Sequence, residues 1–273
     1  MRILIVGLLP FDSGKTTVGI YLLRKFNEVG LNFFPLKPVA GFNGWYSFDA
    51  LMKSLETGVL MGGDTLKYTS ESGQDPKRIN PFSVLLVPPD IELLNYRWTL
   101  YESLEGGIRV MVRMESPWGS QVYYSSIYRT KGIRSLTPLL DRLVAKFRAF
   151  EVETTLIEEL VQKSWTIADP LVRREMEVNE HVLIESYNDA ASPTESSLNV
   201  DYVIAVSPGK AIIYSAKDYR VAVSLLSSSY ALRSSRVIGA VKPLATFDLS
   251  PKEEESVYPI VEFLLRRKTG NGG

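Results

Sequence analysis

Apolar residues in this chain fall into two rhythms, one extended and one helical. Ile3 to Val6 is a continuous apolar run closed by Gly7. Such a run predicts a strand buried on both faces, as in a parallel sheet. From Gly14 to Val29, the residues Val18, Leu22, Phe26 and Val29 share one helical face, and Gly30 supplies a C-terminal stop. Leu31 to Val39 reads as a second strand. Pro35 and Pro38 interrupt it, so it lies near a sheet edge or ends at a functional loop. Strand, loop, helix and strand in this order open a doubly wound α/β fold.

The middle of the chain loses that rhythm. Phe48 to Leu60 predicts a short helix, and polar Ser70 to Pro81 an irregular loop. Ile108 to Met114 and Gln121 to Tyr128 alternate about Ser116-Pro117-Trp118-Gly119, which predicts a β-hairpin. Its tyrosines and Trp118 either cover a site or form a partner face, or simply pack a sheet on a helix. Pro138 to Trp165 reads as a long helix with a bend near Val152 to Thr155, and a shorter helix covers Leu171 to Val178.

The α/β rhythm returns at His181, a structural residue at a strand start. Val182 to Ile184, Tyr202 to Val206 and Val237 to Val241 predict strands, with a helix from Asp218 to Tyr230 between the last two. Ser256 to Arg267 predicts a final helix, and the tail from Thr269 to Gly273 should fray. The expectation is one α/β domain over residues 1–273, with a mainly parallel doubly wound sheet. An α+β insertion occupies about residues 92–180.

Composition narrows the chemistry. The 273 residues are 45% hydrophobic and 23% charged, so a sizeable core is within reach. Lys plus Arg equals Asp plus Glu at 31 each, which points to neither nucleic acid nor membrane as partner. With no cysteine and one histidine, disulfides, thiol catalysis and multi-histidine metal sites are excluded. No apolar stretch approaches the roughly 18 residues of a membrane span, and the apolar N-terminus reads as a core strand and not a leader. The expectation is a soluble cytoplasmic protein.

The strongest motif is Gly7-Leu-Leu-Pro-Phe-Asp-Ser-Gly14-Lys15-Thr16-Thr17. It ends like a Walker A phosphate loop, although Leu9 holds the usual first glycine position. A loop between strand and helix presents successive N–H groups, here from Asp12, Ser13, Gly14, Lys15, Thr16 and Thr17, and the helix dipole favours an anion. Lys15 would bridge β- and γ-phosphates, and the Thr16 hydroxyl would ligate Mg²⁺. The bland alternative is a chance Gly-Lys-Thr at a helix start. A second segment, Leu36-Lys37-Pro38-Val39-Ala40-Gly41, ends the second strand, where ligand loops lie in such sheets. Lys37 is either a second cation for a moving phosphoryl group or a solvated lysine.

In order, GLLPFDSGKTT, LKPVAG, Phe48-Asp49-Ala50-Leu51, Ile79-Asn80-Pro81-Phe82 with Pro88-Pro89, and Val182-Leu-Ile-Glu185 resemble the motifs of dethiobiotin synthetase. That family belongs to the branch of P-loop NTPases that also holds cobyrinate-type amide ligases and Mrp/MinD-like ATPases. The matched pieces cover roughly residues 1–91 and 180–245. The resemblance implies ATP or GTP with Mg²⁺ as cofactors and Lys15 and Lys37 as catalytic residues. It makes Thr16, Asp49 and Glu185 the magnesium ligands. Read without it, Asp49 is an ordinary acid at a helix N-terminus. Glu185, directly after a buried strand, holds a typical metal-site position. Val241-Lys242-Pro243-Leu244 stands where the family reads the base, which makes Lys242 and Pro243 candidates for that contact.

The chain departs from the family after Glu185, with Ser186-Tyr187-Asn188-Asp189-Ala190 in place of Gly-Ala-Gly-Gly. Two functional readings follow. One is an Mg-ATP-dependent ligase or phosphoryl-transfer enzyme acting through an acyl or carbamoyl phosphate on a small molecule. The other is a regulatory NTPase switch whose 92–180 insertion binds a protein partner. Homodimers are common in the resembled group and fit both.

Overall fold

A computed structural model describes residues 1–104, 106–116, 118–226 and 232–270, with residues 268–270 described by backbone alone. The chain is α/β and forms two compact units. Unit 1 comprises Met1–Pro38 and Val172–Gly273; unit 2 is Val39–Leu171. The insertion expected at residues 92–180 thus lies mostly within unit 2 and ends in unit 1. Among the described residues no helix is long and apolar enough to cross a membrane.

Unit 1 holds β1 (Arg2–Gly7) and β2 (Phe34–Leu36), and unit 2 holds β3 (Val39–Asn43), β4 (Phe82–Val87), β5 (Ile108–Ser116), β6 (Gly119–Tyr124) and β7 (Phe150–Glu151). Unit 1 then continues with β8 (Val182–Glu185), β9 (Tyr202–Ser207), β10 (Lys210–Ser215) and β11 (Ala245–Asp248). Its sheet runs β11-β10-β9-β1-β8-β2. The four strands β9, β1, β8 and β2 are parallel, and β10 and β11 extend the sheet by antiparallel pairing.

Ile3 to Val6 are wholly buried, as the continuous apolar run predicts. Leu4 and Val6 join Ile184, Val203, Val172 and Tyr219 in one core cluster. Alternation along β1 turns Ile3 and Ile5 to the other face. The helix Lys15–Glu28 packs on β1, β8 and β9 and buries Val18, Leu22 and Phe26. His181 is buried against the Phe33 ring, their centroids 5.2 Å apart.

Unit 2 carries its own mixed sheet, β3-β4-β5-β6-β7. The predicted hairpin is β5 with β6, paired from Met111 with Tyr124 to Ser116 with Gly119. Val122 and Tyr124 point into the core, and the helix Thr154–Gln162 covers β5. Trp118 is exposed, and the Pro117 of the expected turn lies outside the described residues.

Several expectations are corrected. The single sheet is two sheets, because the chain leaves one at Leu36 and enters the other at Val39. Pro38, which lacks the N–H a continuing ladder needs, lies in that break. The long helix of Pro138 to Trp165 is divided into Thr137–Phe147, the short β7, Thr154–Gln162 and the start of Ser164–Val178. Its first break is at Arg148, in left-handed backbone at φ 49°. The loop from Ser70 to Pro81 contains the end of helix Gly63–Ser72 and the turn Pro76–Ile79. Val237 to Val241 is not a strand: Ser234–Ile238 is helical. Val237 and Val241, one helical turn apart, both enter the unit 1 core.

The helix predicted from Asp218 to Tyr230 is Ala216–Leu226, and residues 227–230 lie outside the described residues. The final helix runs Tyr258–Gly270, one residue past the predicted onset of fraying at Thr269, and residues 271–273 of that tail are outside the description.

Candidate functional site at the carboxyl edge of the unit 1 sheet

Register brings the chemistry together. In the parallel strands Leu36 pairs with Ile184, and Ile5 with Glu185. The ends of β2, β8 and β1 therefore reach one edge of the sheet, where loops of open α/β sheets place ligands. Lys37, the residue after β2, comes level with Glu185, the last residue of β8.

Glu185 is wholly buried. Its Oε1 accepts from the Thr16 hydroxyl at 3.0 Å and from the Lys37 ammonium at 2.5 Å. Lys37 also donates to the Ser186 carbonyl at 3.1 Å. Lys37 is only 3% exposed, so the reading of it as a solvated strand-end lysine is wrong. A charge buried this deeply needs an opposite charge and hydrogen bonds, and the Glu185 carboxylate and the Ser186 carbonyl meet that need.

Lys15 opens the helix Lys15–Glu28 and is buried. Its ammonium donates to the Asn188 carbonyl at 2.7 Å and to Ser13 Oγ at 3.1 Å. Gly14, at φ +88°, takes the left-handed backbone that turns the chain into the helix. The first turn of that helix holds no acidic residue, so its positive end is not offset from within. A Cβ at Gly7 would sit 2.4 Å from Ser13 Oγ and 2.7 Å from Lys15 Nζ. A side chain there would displace both groups and crowd the Asn188 carbonyl, 3.0 Å from that Cβ.

Ser13, Lys15, Thr16, Lys37 and Glu185 thus converge within unit 1. Asp12, Gly14 and Thr17 lie exposed along the same loop and helix start. The donor set of a carboxylate and a hydroxyl is of the hard-oxygen kind that suits magnesium beside phosphate oxygens.

Three other expected residues are not part of this unit 1 cluster. Asp49 belongs to unit 2, exposed in the first turn of the helix Phe48–Thr57. Lys242 and Pro243 precede β11, which enters the sheet at Ala245, level with Ile213, Ile204 and Ile5. They therefore lie toward the amino edge of the parallel strands, opposite the loop after Gly7. A base contact there would need a nucleotide on the wrong edge of the sheet. The segment before β11 follows the helix Ser234–Ile238 and not a strand, so it does not arrive at the edge where β1 ends.

Asn188 is a contact of the Lys15 ammonium that sequence alone does not reveal. It acts through its backbone carbonyl, which no side-chain signal announces, although its positive φ of 43° is a preference Asn shares with few residues. A surface cavity of about 250 Å³ in unit 1, lined by Arg2, Arg173, Met176 and Glu195 among others, lies beside the start of β1, away from this loop. Comparison with known protein families, with curated proteins and with solved structures finds no match to this chain.

Proposed function

We propose that this chain binds a nucleoside triphosphate with magnesium at residues 7–17 and couples its cleavage to a ligase or phosphoryl-transfer step. The reading is of dethiobiotin synthetase type, with a small-molecule acceptor of its own. The observation that carries it is the Thr16–Glu185–Lys37 cluster beside Lys15, at the carboxyl edge of parallel strands. Magnesium, when bound, supplies charge neutralisation between phosphate oxygens.

The protein's own residues do the rest. The N–H groups of the loop and helix start orient the phosphates. Lys15, released from the Asn188 carbonyl, meets the negative charge of the chain's ligand. Lys37 holds Glu185 in place and stands ready as a second cation. Such catalysis is mostly positioning and charge stabilisation. Asp49, an exposed acid of unit 2, stays a magnesium-ligand candidate on the resemblance alone.

The test is ADP release from Mg-ATP by the purified chain, with and without diaminopelargonate plus bicarbonate. Stimulation would assign it to the dethiobiotin reaction despite its altered loop at Ser186 to Ala190. Basal turnover alone would keep the nucleotide site and move the search to other acceptors. Lys15→Ala should lower turnover by about 100-fold or more, and unchanged turnover in that variant would end this reading.

A regulatory switch is the second reading. Trp45, Tyr46, Trp98 and Trp118 of unit 2 are each more than half exposed, which favours a protein contact. Slow hydrolysis that accelerates with a protein partner, and not with a small molecule, would select it.

A further inference from the structure

Ser234 is wholly buried at the start of the helix Ser234–Ile238. Its hydroxyl donates to the carbonyl of Gly7, the last residue of β1. Its backbone N–H donates to the carbonyl of Asp189 at 2.8 Å. The neighbouring residues zip the same two segments together. Ala191 N–H donates to the Leu232 carbonyl at 2.8 Å, Ala190 and Arg233 form an antiparallel bridge, and Arg233 Nε faces Asp189 Oδ2 at 3.5 Å.

Two hydrogen bonds hold the peptide between Gly7 and Leu8. The Gly7 carbonyl is held by Ser234, and the N–H at the other end of that peptide, on Leu8, donates to the Val206 carbonyl at 2.9 Å. The plane from which the loop leaves the sheet is therefore pinned at both ends. Gly7 has no side chain to resist a turn of this plane, so the pin depends on the two hydrogen bonds. Through Asp189, Ser234 also holds the segment whose Asn188 carbonyl receives the Lys15 ammonium.

We propose that Ser234 is a positioning residue for the phosphate loop: it holds residues 8–14 and 186–190 in register, so that the loop is formed before any ligand arrives. The inference rests on the reading of residues 7–17 as the nucleotide site, but its structural half is independent of that reading. A loop set in advance avoids the ordering cost on binding.

The experiment uses the full chain without ligand. Amide hydrogen exchange is compared among wild type, Ser234→Ala, Ser234→Cys and Ser197→Ala. Ser197 is an equally buried serine of the same unit, hydrogen-bonded to Thr194, and serves as the control for a merely structural loss. Ser234→Ala removes the hydroxyl bond to Gly7 and keeps the backbone bond to Asp189, so it should speed exchange within residues 8–14 by about 3- to 10-fold, the effect of one hydrogen bond, and residues 186–190 less. Ser234→Cys, a weaker donor of similar size, should fall between. Ser197→Ala should leave those segments unchanged.

Binding of a fluorescent ATP analogue with Mg²⁺ should weaken in Ser234→Ala by a similar factor. Unchanged exchange within residues 8–14, or an equal rise there in the Ser197 variant, would overturn the proposal. Faster exchange there, in a chain whose wild type binds no nucleotide, would uphold the loop-holding role of Ser234 and overturn the nucleotide reading instead.

Discussion

Lys37 and Glu185 form a pair whose two members are buried in the body of unit 1, 148 positions apart in the chain. Removing one partner of a buried ion pair is costly, whereas replacing both by neutral groups of similar volume often is not. Glu185→Gln and Lys37→Met are each expected to lower unfolding free energy by about 3 kcal/mol. The double variant should lose clearly less than the sum of the two. A double-mutant cycle by chemical denaturation reads this directly, and additive losses would show that the pair is not coupled. Lys15, Thr16 and Lys37 were legible as chemistry-bearing residues because a Gly-Lys-Thr end and a lysine at a strand end are side-chain signals. Ser234 and Asn188 were not, since one acts on a backbone carbonyl far away in sequence and the other through its own carbonyl.

Helices and strands were legible where apolar runs stood next to clear stops. The helix Lys15–Glu28 and the strands β1, β8 and β9 sit within a residue or two of their predicted limits. Short apolar runs were not decided by period alone, as Val237 to Val241 shows, because four apolar residues about a glycine suit a buried helix turn as well as a strand. In unit 2 the helix Thr137–Phe147 is tied to the turn Tyr128–Lys131 by side chains. Tyr128 Oη donates to Asp141 Oδ1 at 2.6 Å, and Arg129 donates to the same oxygen at 2.8 Å.

These bonds, with Tyr128 first and Arg129 next, hold the Asp141 carboxyl below its ordinary value. A depressed carboxyl stabilises the fold above its unfolded value, and that contribution is lost as pH falls through the folded one. Asp141 is half exposed, so the effect is under about 1 kcal/mol. Asp141→Asn should therefore narrow the difference in melting temperature between pH 7 and pH 3. An unchanged difference would remove Asp141 from the acid response.

At the scale of the molecule, burial pushes the phenols of Tyr124 and Tyr128 in unit 2, and of Tyr202, Tyr214 and Tyr219 in unit 1, above the ordinary tyrosine value of 10.0. The folded state then holds protons that the unfolded chain releases. Stability is present below about pH 10 and is lost as pH rises through the folded values. Titration toward pH 12 should show part of the phenolate absorbance appearing together with loss of circular dichroism. Ionisation of all tyrosines in a chain that keeps its native spectrum would contradict the burial of these rings.

The sequence by itself determined that the chain is α/β, that a strand ending at Gly7 runs through a loop into a helix, and that Lys15, Lys37 and Glu185 are the residues to watch. Those are local properties, written in period, glycine placement and residue type. Only the tertiary structure decided that two sheets exist, that the strand ends of β1, β2 and β8 share one edge, and that Lys242 and Pro243 lie at the other. Strand order and register depend on contacts between residues far apart in the chain, which no window of sequence contains.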